Sequence, residues 1–177
     1  MSDKSGSQIV HLSFLRDALE QARECEPTPH AFCVGCVLVT HWPTLESPPV
    51  VLSTGYSREL SGNTHAEANA LTKAHALSHE DLLHLFGETP PIDTLLRNTD
   101  VYTTMEPCSI RTSGLAPCAD ALVLAKVHRC FIGVGEPDDF VICEGAQKLI
   151  NAGIEVVWME EMEKECLREA RRGHNRV

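Results

Sequence analysis

Long apolar runs are missing from this chain. The longest, residues 31–39, is far too short to cross a bilayer, which takes about twenty consecutive apolar residues in a helix. Residues 1–13 mix Asp3, Lys4, Gln8 and His11 among their apolar positions and so lack the hydrophobic stretch of a secretory signal. Basic residues are scarce too: 15 Lys and Arg stand against 25 Asp and Glu, for a formal net charge of -10. That balance disfavours a polyanionic partner, because nucleic-acid affinity rests on basic surface that replaces counterions. Internal repeats, low-complexity tracts and a linker to a second domain are also lacking. The expectation is a cytoplasmic protein with neither membrane nor nucleic acid as partner. Any anionic ligand must meet a local cationic pocket.

What is present suits one compact unit. With 177 residues, 43% of them apolar, the chain can bury a core without staples, and residues 1–177 are expected to form a single domain. Eight cysteines at wide, irregular spacing read as thiols or metal ligands rather than as disulfides in a reducing compartment.

Ile9, Leu12, Leu15, Leu19 and Ala22 recur three or four residues apart, which predicts an amphipathic helix over 8–24 that Pro27 and Pro29 stop. Short β-type runs at 34–39 and 50–55 predict a hairpin. Further helices are predicted from Thr64 and over 78–86, 118–126 and 144–152, the last closed by Gly153, with a loop at Gly87, Pro90 and Pro91. Strands are predicted over 101–105, 130–134 and 154–159. Strands alternating with helices require crossover connections and parallel pairing. The predicted fold is therefore α/β, a three-layer α/β/α sandwich around a mixed five-stranded sheet. A terminal helix over 162–172 carries Lys164, Arg168, Arg171 and Arg172, with His174 and Arg176 beyond it, and is expected to present them to solvent.

The most informative residues are His65-Ala66-Glu67, Pro107-Cys108 and Pro117-Cys118. One imidazole and two thiolates match the three protein ligands of a catalytic zinc site, with water or hydroxide as the fourth. Two thiolates cancel the ion's charge, yet the metal still lowers the pKa of its water from roughly 15.7 toward 7. His65 and Cys118 are expected at helix starts, where the helix dipole favours a neutral imidazole and a thiolate. Cys108 follows a strand, at the sheet edge where open α/β folds bind ligands. Glu67 stands two residues past His65, close enough to shuttle protons without binding the metal. One ion per chain is expected.

Blander readings exist for each. Thr64 and Glu67 also fit a capping box, and an isolated Cys108 or Cys118 would be an inert core thiol. Cys33 and Cys36 have C-x-x-C spacing, but positions three apart on a strand face opposite sides of a sheet. His75 and His79 sit at helical spacing without a third ligand and read as solvated surface. Cys25, Cys130, Cys143 and Cys166 read as packing thiols.

An H-x-E segment followed by P-C and a further cysteine is the signature of zinc-dependent nucleobase deaminases. With it, Val34-Gly35-Cys36-Val37-Leu38, Gly55-Tyr56-Ser57-Arg58-Glu59, Gly62-Asn63-Thr64 and Tyr102-Thr103-Thr104-Met105-Glu106 resemble the cytidine-deaminase-like superfamily. Within it the chain looks like the riboflavin-pathway pyrimidine deaminases, of the fungal type. Nine residues separate Cys108 from Cys118, a longer loop than in cytidine, cytosine or tRNA-adenosine deaminases and characteristic of the riboflavin branch. The resemblance implies hydrolytic loss of the 2-amino group from a diamino-ribitylamino-pyrimidinone phosphate, with zinc as cofactor and Glu67 as proton carrier. It implies no nicotinamide cofactor, and it suggests a homodimer.

Departures from the bacterial pattern lie around the substrate. Ala31-Phe32 replaces an Asn-Pro pair, Arg58 replaces a histidine, and 110–114 replaces a lysine-bearing loop. Arg58 and Arg111 are expected to meet the phosphate, or else to form surface ion pairs. Asn63 is expected to cap the zinc-ligand helix or to bond the polyol. Two further functions stand beside this one: a deaminase of another base, nucleoside or tRNA, and a structural zinc module that binds a partner.

Overall fold

The computed structural model describes residues 3–111, 114–137 and 143–174. Its five strands, β1 (Gly35–His41), β2 (Pro49–Tyr56), β3 (Thr99–Thr103), β4 (Arg129–Ile132) and β5 (Glu155–Trp158), form one sheet in the order β2-β1-β3-β4-β5. β1 pairs antiparallel with both β2 and β3, whereas β3, β4 and β5 run parallel. The mixed sheet is the one expected.

The β1 residues Gly35 to Thr40 are buried without interruption, because both faces of the sheet are covered. Val37 and Val39 point into a cluster with Leu15, Ala18 and Leu19 of helix α1 (Asp3–Glu24) and with Cys166 and Ala170 of α7 (Glu163–Ala170). Cys36 and Leu38 point the other way, into a cluster built from α2 (Ala66–His75), α3 (His79–Phe86), α4 (Ile92–Arg97), α5 (Cys118–Ala125) and α6 (Gly145–Asn151). Alternation along one strand thus separates the two outer layers. Each layer buries a continuous apolar face, at roughly 25 cal/mol per Å² of apolar surface removed from water.

Two glycines set how closely helices approach the sheet. A Cβ on Gly35 would lie 1.9 Å from the Ala18 carbonyl oxygen, and one on Gly55 would lie 2.3 Å from the Ala66 oxygen and 2.6 Å from the Ala70 nitrogen. The first lets α1 lie on β1; the second lets the first turn of α2 lie on β2.

The structure adds α4 directly after the loop predicted at Gly87, Pro90 and Pro91, over residues for which the sequence predicted no element. Pro91 is its N-cap residue, and its six residues bury Leu95 and Leu96. The terminal helix is not all solvated either. Arg172 reaches back to the carbonyls of Ala22, Arg23 and Cys25, while Arg176 lies outside the described residues. At the far end of β3 the fully buried Asp100 accepts from Arg129 Nε at 2.9 Å and Nη2 at 2.5 Å, and lies 3.1 Å from His128 Nδ1. Burial raises its pKa, but Arg129 and His128 outweigh that and leave it below the usual carboxylate value. Among the described residues no helix is long and apolar enough to cross a membrane.

Candidate metal centre and active site

Three chain segments meet at the C-terminal edge of β3. His65 is the N-cap of α2, in extended conformation at φ −102° and ψ 157°, so it stands one position earlier than the first turn predicted for it. The turn before it is closed by the Arg58 N–H donating to the Thr64 carbonyl at 2.7 Å. Buried Asn69 donates to the Tyr56 carbonyl at 2.7 Å and to Thr64 Oγ1 at 3.0 Å, tying α2 to the end of β2. Cys108 follows β3 after a short turn, and Cys118 opens α5 directly behind its N-cap, Pro117.

The ligand atoms of His65, Cys108 and Cys118 lie within 4.8 Å of one another, the one such group of three among the described residues. His65 Nδ1 is 3.5 Å from Cys108 Sγ, and the Cys118 backbone N–H donates to the same sulfur at 3.3 Å. The hydrogen bond from the Cys118 thiol and those from His65 and the α5 N-terminus, against the opposing effect of burial, draw Cys108 down to about 4. Cys118 is driven up, first by Cys108 and then by burial. A soft, partly ionised S₂N donor set gathered this tightly fits zinc.

Glu67, in the first turn of α2, is 3% exposed, and its Oε1 accepts from Thr103 Oγ1 at 2.9 Å. The Thr103 hydroxyl also lies 3.0 Å from the Met105 carbonyl oxygen. The capping box with Thr64 does not form: Thr64 Oγ1 donates to the Leu60 carbonyl, and α2 has no side-chain cap. Burial first, then the nearby Cys108 charge, raises the Glu67 pKa. A carboxyl held this way takes up a proton far more readily than a solvated one.

A half-open pocket exposes this cluster to solvent, and His65, Glu67 and Cys108 line it together with Arg58, Asn63 and Arg111. Arg58 has φ 65° and sends its guanidinium into the pocket wall, to the carbonyls of Phe32 (3.2 Å) and Glu26 (2.7 Å) and to Cys25 Sγ (2.8 Å). Arg111 donates to the Asn63 carbonyl at 2.6 Å, and its buried Nε has no hydrogen-bond partner. Asn63 itself is exposed, and His65 rather than Asn63 holds the cap position. Phe32 lines the pocket at 9% exposure, with the His174 ring 4.9 Å away. Residues 112–113 of the long loop lie outside the described residues.

Sequence reasoning passed over Glu136, His30 and Met105, which also line the pocket. Glu136 follows β4 within a Gly-Glu-Pro turn at the sheet edge that bears Cys108, and that shared position was the available signal. His75 and His79 are exposed as expected. Cys36 lies in the core, while Cys33 and Cys25, the latter read as a packing thiol, meet two arginines instead.

The model of the cytidine and deoxycytidylate deaminase zinc-binding region matches residues 9–134. The chain belongs to this zinc-binding deaminase family. A Schizosaccharomyces pombe relative, diaminohydroxyphosphoribosylamino-pyrimidine deaminase, is 42% identical over 164 residues, covering 93% of this chain and 36% of its own length. The chain thus spans about a third of the curated relatives it matches, including the riboflavin biosynthesis protein RibD of Actinobacillus pleuropneumoniae, 28% identical with 89% of this chain and 35% of that one covered. The Aspergillus oryzae Rib2 deaminase, a C-terminal deletion mutant solved in complex with DARIPP, superposes with a TM-score of 0.73 at 32% identity, covering 93% of this chain and 92% of that one. The mixed sheet and its helical layers are those of this deaminase fold.

Proposed function

We propose that the chain catalyses zinc-dependent hydrolytic deamination of 2,5-diamino-6-ribitylamino-4(3H)-pyrimidinone 5'-phosphate, giving 5-amino-6-ribitylamino-uracil 5'-phosphate and ammonia, in riboflavin biosynthesis. Support comes from the Schizosaccharomyces relative's name and the Aspergillus complex. The observation that carries the chemistry is the buried Glu67 carboxyl, braced by Thr103 beside the His65, Cys108 and Cys118 cluster.

His65, Cys108 and Cys118 would hold one zinc per chain, leaving its fourth position to water. Bound there, zinc supplies Lewis acidity that makes a water acidic enough to ionise near neutral pH. Glu67 takes one proton from the attacking water and passes it to the ring nitrogen beside the amine-bearing carbon; it then takes the remaining proton from the hydroxyl added to that carbon and gives it to the amine, which leaves as ammonia as the carbonyl forms. Thr103 fixes one carboxyl oxygen, so the other carries the proton. Phe32 walls off the apolar face of the pyrimidine. Arg111, whose Nε is unpartnered, takes the anionic end; Asn63 bonds the polyol, and Arg58 holds the wall beside both.

Residues 1–177 act as one deaminase domain on this reading, and both apolar clusters share its single sheet. The eight cysteines are free thiols, which suits the cytoplasm. A homodimer would cover the exposed Leu115 and Leu124, which flank a groove between α2 and α5. The test is zinc quantification with turnover assays on ribitylated and ribosylated pyrimidine phosphates, cytidine and guanine. Preference for the ribitylated phosphate supports the reading; preference for cytidine or guanine overturns it, and zinc without turnover on any of them leaves a structural metal site.

A further inference from the structure

Cys25 and Cys33 bracket a stretch of the pocket wall. Between them, Pro27 and Pro29 stiffen the backbone, and His30, Ala31 and Phe32 line the pocket. Both thiols are buried; Cys25 donates to the Glu26 carbonyl at 3.6 Å and Cys33 to the Cys25 carbonyl at 4.0 Å. Arg58 Nη2 lies 2.8 Å from Cys25 Sγ and 3.9 Å from Cys33 Sγ, and Arg172 Nη2 lies 3.9 Å from Cys33 Sγ on the other side. These two guanidiniums also bind the carbonyls of Glu26 and Phe32 (Arg58) and of Ala22, Arg23 and Cys25 (Arg172). The thiols and the wall therefore share one set of cations.

We propose that Cys25 and Cys33 form a reversible oxidation site for a small peroxide, and that their disulfide loosens the pocket wall that Arg58 holds. A thiolate facing two guanidiniums is the reactive form of cysteine. Cys33 fills that role: the neighbouring Cys25 thiol, opposed by burial and aided by Arg172, draws it down to about 6, while Cys25 is raised. The Cys33 thiolate attacks one peroxide oxygen, the O–O bond breaks, and the departing hydroxide takes up a proton to leave as water. The Cys25 sulfur then attacks the resulting sulfenic acid; the S–S bond forms, the S–O bond breaks, and the second hydroxide leaves with the Cys25 proton as water. The thiols lose two electrons and the peroxide gains them. A reducing dithiol reverses the step. With the Cys33 charge gone and the Cys25 sulfur, 2.8 Å from Arg58 Nη2, drawn into the S–S bond, Arg58 loses both of its sulfur partners beside Phe32.

The oxidation itself is independent of the substrate assigned above, whereas its effect on turnover rests on that reading. The zinc-loaded protein is treated with hydrogen peroxide, its remaining thiols are blocked, and the chain is cut after Phe32, which leaves Cys25 and Cys33 on separate peptides. Expected are a Cys25–Cys33 linked pair that dithiothreitol releases, unchanged zinc content, faster hydrogen exchange over 26–32, and kcat/KM lower by up to about 100-fold, the scale of a misplacement of about 1 Å. Cys25→Ser and Cys33→Ser should each abolish the link and keep their own untreated activity in peroxide. Absence of the linked pair, a link that survives in Cys33→Ser, or a link that changes neither exchange nor kcat/KM overturns the proposal. Should the untreated protein fail to turn over the pyrimidine phosphate, the functional reading fails while linkage and exchange still decide this one.

Discussion

The molecule holds two pairs of buried thiols, Cys108 with Cys118 and Cys25 with Cys33, and their neighbours give them different chemistry. The first pair stands at a helix N-terminus beside an imidazole and a carboxyl, which offers a metal three converging donors. The second stands between two guanidiniums that have no lone pair to donate, so it binds cations of the protein instead. Burial is alike in both places. What decides the role of a cysteine here is whether its neighbours accept or donate.

The comparison breaks most visibly at the first pair. His65→Ala should release zinc and abolish turnover, whereas Cys33→Ala should keep the metal; elemental analysis of both variants checks this, and full zinc occupancy in His65→Ala would show that the ligand set is wrong. Glu67→Gln should hold its zinc yet lose about 10² to 10⁴ in turnover, the usual worth of a positioned proton carrier. Unchanged activity there would remove Glu67 from the reaction.

Thr103→Val sharpens the contrast more gently. Its hydroxyl lowers the Glu67 pKa against burial, so its loss should move the acid limb of the kcat profile to higher pH and cost about tenfold in rate, in the range of lost outer-sphere contacts. A profile left in place would mean that Thr103 only supports the strand.

A third guanidinium, Arg129, faces a carboxylate and serves as the control. Because the folded pKa of Asp100 lies below its unfolded value, its contribution is complete above the unfolded pKa, about 3.9, and disappears as pH falls through the folded value. Asp100→Asn should therefore flatten the acid limb of thermal stability and cost about 3 kcal/mol at neutral pH by leaving Arg129 unpaired. Equal acid sensitivity in both proteins would contradict this.

Much of the site was legible because its residues announce themselves in short segments: H-A-E, P-C and P-C. The mixed sheet was legible from alternating strand and helix patterns. Helix α4 was not, since six residues behind two prolines carry too little periodicity to separate a helix from a loop. The capping box was a false lead, because Thr103, distant in sequence, offers Glu67 a better partner than the helix start. The polar surroundings of Cys25 were beyond reach for the same reason: Arg58 and Arg172 arrive from a loop after β2 and from beyond α7.

The hydrogen where Gly55 has no side chain carries a consequence for anyone redesigning this scaffold. Because the first turn of α2 rests directly on that position, adding even a methyl group would lift the helix and carry His65 away from two sulfurs rooted in other segments. The spacing of the inorganic centre is thus written partly in an atom the chain omits, and a search for variants with altered metal preference should begin beneath the ligands.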